Sequence, residues 1–227
     1  MDAIEAIMTT RAIRRFGDEP VTDEEIWTCL RAAAQAPSGG NLQPWRFLVV
    51  RDPAQKARIA EVYRRCYERY EPALLASLPP FPDAPSRERF ERMLHSSRHL
   101  AESLARVPAL VLVLAARVDL TLHDAEGALD IGSVHASVYP AVQNLMIAAR
   151  ALGIGTTLTT VARIEHDELR RVCEIPDRFE VAALVPMGRP RGRFGVAPRK
   201  PVDAVTYWDR FGSRPPAAGS RAAAERG

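Results

Sequence analysis

The sequence predicts one globular domain in which helices alternate with a few buried strands. Three observations carry this. The chain has 227 residues with 47% hydrophobic content, enough for a substantial core. Val134 to Leu152 places Val138, Val142, Leu145, Ala149 and Leu152 along one helical face. Ala109 to Ala115 and Phe179 to Gly188 are nearly continuous apolar runs, as strands buried on both faces show.

The elements follow in order. Ile4, Ile7 and Met8 space like a short helix over 2–9. Pro20-Val21-Thr22-Asp23-Glu24-Glu25 opens a second helix with Thr22 or Asp23 as N-cap, running to Ala34. Arg46 to Arg51 reads as a strand, and Asp52-Pro53 starts a helix reaching Tyr70. Five prolines between Pro72 and Pro85 exclude one regular helix there, so this stretch reads as an excursion, either a substrate-covering lid or an inert loop. Ser86 to Ala105 is an amphipathic helix. The apolar helix 134–152 reads as the central one, stopped by Gly153. Thr156 to Thr160 is β-prone, Glu165 to Cys173 a short helix, and Pro198 to Arg210 an extended segment. The Ala/Gly/Pro/Arg-rich residues 213–227 read as a disordered tail.

Composition narrows function. Thirty-one basic against 28 acidic residues give only +3, too little for a nucleic-acid footprint. The N-terminus shows no basic-then-apolar leader, and the longest apolar stretch is far short of a bilayer span. Cys29, Cys66 and Cys173 lie far apart without Cys-x-x-Cys, which suits reduced thiols and a cytoplasmic location. The pair His95 and His99 lacks a zinc-like third ligand, so no metal is expected. No Gly-x-Ser-x-Gly or phosphate-binding Gly-rich loop of the common types appears.

Several segments could carry chemistry. Ala36-Pro37-Ser38-Gly39-Gly40-Asn41-Leu42-Gln43-Pro44-Trp45 is a small-residue loop wired into a strand, a form that lets a ligand approach the backbone. Arg11, Arg14 and Arg15 form a basic cluster between apolar neighbours, either a phosphate grip or a solvated turn. Arg199-Lys200 is a second basic pair, bracketed by prolines. Gly153-Ile154-Gly155-Thr156-Thr157-Leu158-Thr159-Thr160 is a plain turn and strand, or a lining for a flat ligand.

Taken in order, Arg-x-x-Arg, Pro-Ser-Gly-Gly-Asn-Leu-Gln-Pro-Trp, Tyr139-Pro140-Ala141-Val142-Gln143-Asn144, Gly-x-Gly-Thr-Thr, Val185-Pro186-Met187-Gly188-Arg189-Pro190 and Pro198-Arg199-Lys200-Pro201 resemble the nitroreductase family of FMN-dependent oxidoreductases, whose superfamily also contains iodotyrosine deiodinase. The resemblance covers about residues 2–210. It implies an α+β fold with a central mixed, mostly antiparallel sheet wrapped by helices. It also implies an intertwined homodimer, with one nitroreductase-like domain over 1–212 and a C-terminal arm at 198–212 crossing to the partner.

By that resemblance Arg11 and Arg199 bind the FMN phosphate, and Arg14 lies near the flavin pyrimidine edge. Ala12, where many members carry serine, keeps only its backbone N–H in the cofactor-binding set. Pro37, Ser38, Gly39, Gly40 and Asn41 form the loop that the partner subunit lays over the cofactor. Leu158, Thr159 and Thr160 run past the ring, with Thr160 nearest N5. The implied activity is ping-pong transfer of hydride from NAD(P)H to nitroaromatics, quinones or a related unsaturated small molecule, with Thr160 and Arg14 as the catalytic pair. The alternative is a flavin-sequestering protein without turnover.

Overall fold

The computed structural model describes residues 1–214. The chain divides into two compact units, Met1–Gly195 and Val196–Gly227. The first holds α1 (Ala3–Thr9), α2 (Asp23–Ala34), β1 (Trp45–Val50), α3 (Pro53–Ser77), α4 (Ala84–Ser103), β2 (Ala109–Ala116), β3 (Thr121–His123), β4 (Ala128–Asp130), α5 (His135–Ala151), β5 (Gly155–Thr156), α6 (His166–Val172) and β6 (Phe179–Gly188).

Four strands form an antiparallel sheet in the order β1-β2-β6-β5. Among the described residues, the one parallel element beside it is an isolated bridge between Ala12 and Thr156. β2 is the fully covered strand that its sequence predicts. Ala109, Val111, Val113 and Ala115 enter one core with α2 and α5; Leu110, Leu112 and Leu114 enter another with α3 and α6. Helices therefore cover both faces of the sheet, and the class is α+β. A bulge interrupts the β2–β6 register, where Val113 faces Ala183 but Leu114 faces Val181. The extra residue reverses which face of β6 later side chains address: Val181 and Leu184 share one core, Ala182, Val185 and Met187 the other.

Local chemistry sets the helix ends. Thr22, not Asp23, caps α2, in a reciprocal pair with Glu25. Gly153 takes φ +73° and ends α5.

The expected break at Tyr70 is absent: α3 continues through Pro72 to Ser77. Pro72 and Glu68 are both exposed, so the Glu68 carbonyl that proline leaves without a donor lies on the hydrated side. Only Leu78 to Asp83 is the turn of an α3–α4 hairpin. Asp83 caps α4 by accepting the Ser86 N–H, with Pro85 in the first turn. The excursion expected over 72–85 is thus two helix ends and a short turn.

The β-prone stretch 156–160 is also cut short, and Pro186 is the cause. Leu184 exchanges both backbone bonds with Thr159, so two residues along, Pro186 turns its missing N–H toward Thr157. The ladder stops at Thr156 and resumes only as the Thr159–Leu184 bridge. β3 and β4 form an exposed hairpin that the sequence reading did not assign; Asp124 closes its turn by accepting N–H bonds from Glu126 and Gly127.

In the second unit, the segment expected to be extended over 198–210 contains a 3-10 turn, Val202–Val205. Tyr207 and Phe211 rings lie 4.4 Å apart. Of the tail predicted over 213–227, Ser213 and Arg214 are placed, with the Trp208 N–H donating to the Ser213 carbonyl at 2.9 Å. Residues 215–227 lie outside the described residues.

Candidate functional site

The N-terminal basic segment is fixed to the sheet. The Ile13 N–H donates to the Thr156 carbonyl at 2.8 Å, and Ile13 packs where a Cβ on Gly155 would fall only 2.7 Å from its Cγ2. Glycine at 155 is what allows this close approach. Anchored at Ile13, Arg11 and Ala12 are exposed and Arg14 is half-buried.

Arg14 lies against α3. Tyr63, Tyr67 and Tyr70, at helical spacing, all act on its charge. Burial lowers the guanidinium from its ordinary range, and the three phenols oppose that shift. Among the described residues Arg14 has no carboxylate within ion-pair distance. A partly desolvated cation without a counter-charge is costly, and an anionic ligand would relieve that cost.

Tyr63 continues the site inward. Its hydroxyl lies 3.0 Å from the Thr159 Oγ1, and burial raises its pKa against the opposing effects of that bond and of Arg14. Thr159 is fully engaged: its hydroxyl also accepts the Val161 N–H at 3.4 Å, and its backbone bonds Leu184. Thr160 is different. It is exposed, and its carbonyl accepts the Arg163 N–H at 2.9 Å, but its side chain caps nothing. Leu158 is exposed beside it, and the Thr157 hydroxyl is buried without a partner.

The structure therefore ties the Arg11–Arg14 segment to Thr156, just ahead of Leu158, Thr159 and Thr160, with Arg14 and Thr159 both acting on Tyr63. Tyr63 and Tyr67 are the residues sequence reasoning missed. Their signal was the Tyr63, Tyr67, Tyr70 spacing, which places three phenols on one helix face.

The loop Pro37–Asn41 faces elsewhere. Gly40, Asn41 and Gln43 all adopt positive φ (56°, 54° and 45°). The Ser38 hydroxyl holds this shape by accepting the Gln43 N–H at 2.8 Å. The Gly39 N–H reaches Ser137 on α5 at 3.3 Å, and a Cβ at Gly39 would meet nothing within 4 Å. The loop is open to solvent on its glycine side and tied to the start of α5. Arg199 belongs to the second unit, where it is exposed and donates to the Pro198 carbonyl.

A family model described as the nitroreductase family matches residues 7–189. The chain belongs to the nitroreductase family. Within it, an NADH dehydrogenase of Thermus thermophilus is 27% identical over 209 residues, covering 92% of this chain and 96% of that protein. The FMN reductase (NADPH) of Bacillus subtilis is 27% identical over 211 residues, covering 92% and 74%. Among solved structures, oxidized iodotyrosine deiodinase bound to FMN and 3-iodo-L-tyrosine superposes with a TM-score of 0.70. It is 24% identical and covers 92% of this chain and all of that one, which establishes the shared nitroreductase fold. Among the described residues no helix is long and apolar enough to cross a membrane.

Proposed function

We propose that this nitroreductase-family chain is an FMN-dependent oxidoreductase that passes hydride from NAD(P)H to nitroaromatics, quinones or a related unsaturated small molecule by a ping-pong sequence. The observation that carries the reading is Arg14. A half-buried guanidinium with no acidic partner among the described residues acts on Tyr63, which bonds Thr159, the neighbour of a threonine whose hydroxyl caps nothing; this suits a ligand that needs positive charge at one edge and a donor at another.

FMN, when bound, supplies the hydride chemistry. This chain supplies the rest. Arg14 places positive charge at the pyrimidine edge and favours negative charge there. Thr160 offers its hydroxyl or N–H toward N5. Arg11 and the Ala12 N–H would hold the phosphate, and Leu158 would offer an apolar contact to the ring. The donor set fits: cationic at the phosphate and pyrimidine, neutral and hydroxylic elsewhere.

We place the loop Pro37–Asn41 over the cofactor of a second subunit. Its bonds run to Ser137 and within itself, leaving the glycine face open for a neighbour. The apolar residues Ile4, Ile7 and Met8 stand exposed on α1, and Val202, Val205 and Phe211 stand exposed in the second unit. Such surface suits burial in an intertwined homodimer.

The test is steady-state oxidation of NADH and NADPH with menadione or nitrofurazone as acceptor. Parallel double-reciprocal lines are the expected result. Flavin-loaded protein that turns over with none of these pairs supports the sequestering alternative instead.

A further inference from the structure

A recess of about 600 Å³ opens at the end of β1 and β2, away from the residues gathered around Arg14. Its walls include Gln43, Pro44, Arg46, Arg117, Arg178 and Phe179. The three arginines are held there by the fold. The Arg117 N–H donates to the Arg178 carbonyl at 2.9 Å, which sets the two side by side. The guanidinium carbons of Arg46 and Arg178 lie 5.6 and 5.4 Å from the Phe179 ring centre. Arg46 is aimed by one nitrogen, Nη1, which donates to the Trp45 and Gln43 carbonyls.

No carboxylate lines this recess. Asp177, whose charge Arg117 influences, is already paired with Arg170. Among the described residues, Arg117 and Arg178 make no side-chain hydrogen bond and no ion pair, and Arg46 makes no ion pair. Three like charges converge on one apolar floor without a counter-ion. Guanidinium forks match phosphate oxygens two at a time.

We propose that this recess binds the 2′-phosphate of NADPH and makes the enzyme select NADPH over NADH. This rests on the proposed function. The recess begins at Leu42, one residue beyond Asn41, so chain continuity sets it beside the loop assigned to the cofactor. A terminal phosphate monoester carries a charge near −2 at neutral pH, roughly twice that on each phosphorus of a dinucleotide pyrophosphate. Three unpaired arginines answer the monoester better than the pyrophosphate that NADH also carries.

The test titrates the full-length protein with NADP⁺ and NAD⁺, which differ only in the 2′-phosphate, by calorimetry, measuring FMN content in the same samples. NADP⁺ should bind at least about tenfold tighter than NAD⁺, and that advantage should fall steeply with salt. Arg117→Glu, and separately Arg46→Ala with Arg178→Ala, should abolish that advantage and lower the NADPH-to-NADH ratio of kcat/KM by about tenfold or more. These side chains are exposed, so the variants keep the folded core. Equal affinity for NADP⁺ and NAD⁺, or an undiminished NADPH preference in the variants, would overturn the proposal. The titration reads the recess without flavin: a colourless protein that still prefers NADP⁺ counts against the oxidoreductase reading alone.

Discussion

Arg14 is the residue on which the proposed chemistry turns, because its charge is half-buried and has no carboxylate partner among the described residues. Replacing it with glutamine keeps a donor and removes the charge. Arg14→Gln should lower kcat/KM at least about tenfold, or about 1.4 kcal/mol of transition-state stabilisation. Steady-state rates checked against flavin content separate this from simple cofactor loss; rates like the wild type's would remove Arg14 from its role. Tyr63 acts one layer behind. Tyr63→Phe breaks the 3.0 Å contact with Thr159 and should cost about 1 kcal/mol of stability by denaturant titration. The two residues differed in legibility. Arg14 stood in a motif of charged residues that a sequence displays directly. Periodicity placed Tyr63 on a helix, but what its hydroxyl meets depends on Thr159, 96 residues away, and no local pattern encodes that contact.

Elements position the site through one close approach. Gly155 lets the N-terminal segment lie against β5, and a Cβ there would collide with Ile13. Gly155→Ala should therefore cost about 1–3 kcal/mol and displace the Arg11–Arg14 segment, lowering FMN affinity as well as the melting temperature. A variant that melts early yet binds FMN normally would show that this anchoring does not matter to the site. The same reasoning explains which elements were legible. β2, β6, α2 and α5 carry their patterns in contiguous residues, and their cores follow from continuous apolar runs and helical spacing. Two departures share one origin, a proline whose effect depends on its surroundings. Pro72 is tolerated in α3 because the carbonyl it orphans is hydrated. Pro186 shortens β5, although the sequence of β5 itself is β-prone. In an exposed helix interior, Pro72→Ala should raise stability by up to about 3 kcal/mol, read as a higher denaturant midpoint.

At the scale of the molecule, buried protonated groups set the alkaline limit. Burial pushes Cys29 and Tyr67 up to about 12 and Cys173 up to about 11. Unfolded thiols and phenols lose their protons near 9.0 and 10.0. Over that window the unfolded chain binds fewer protons than the native one. The stability these groups contribute is complete below about pH 9 and is lost as pH rises toward 12. A denaturant midpoint that falls between about pH 8 and pH 11 is the expected outcome, and a flat profile would place these groups in contact with water. The individual helices and buried strands were legible because each rests on a pattern within a single segment, whereas the α+β class and the helix-covered sheet came from the order of motifs that resembles the family. The contact of Tyr63 with Thr159, and the gathering of Arg46, Arg117 and Arg178 in one recess, arise from chain reversals between distant segments. The most direct test of the central claim is the visible absorption spectrum of the purified full-length protein, before and after incubation with excess FMN. The account predicts flavin bands at stoichiometric occupancy, reduced in Arg11→Ala and Arg14→Gln. A protein that stays colourless after reconstitution, or variants that keep full flavin, would contradict it.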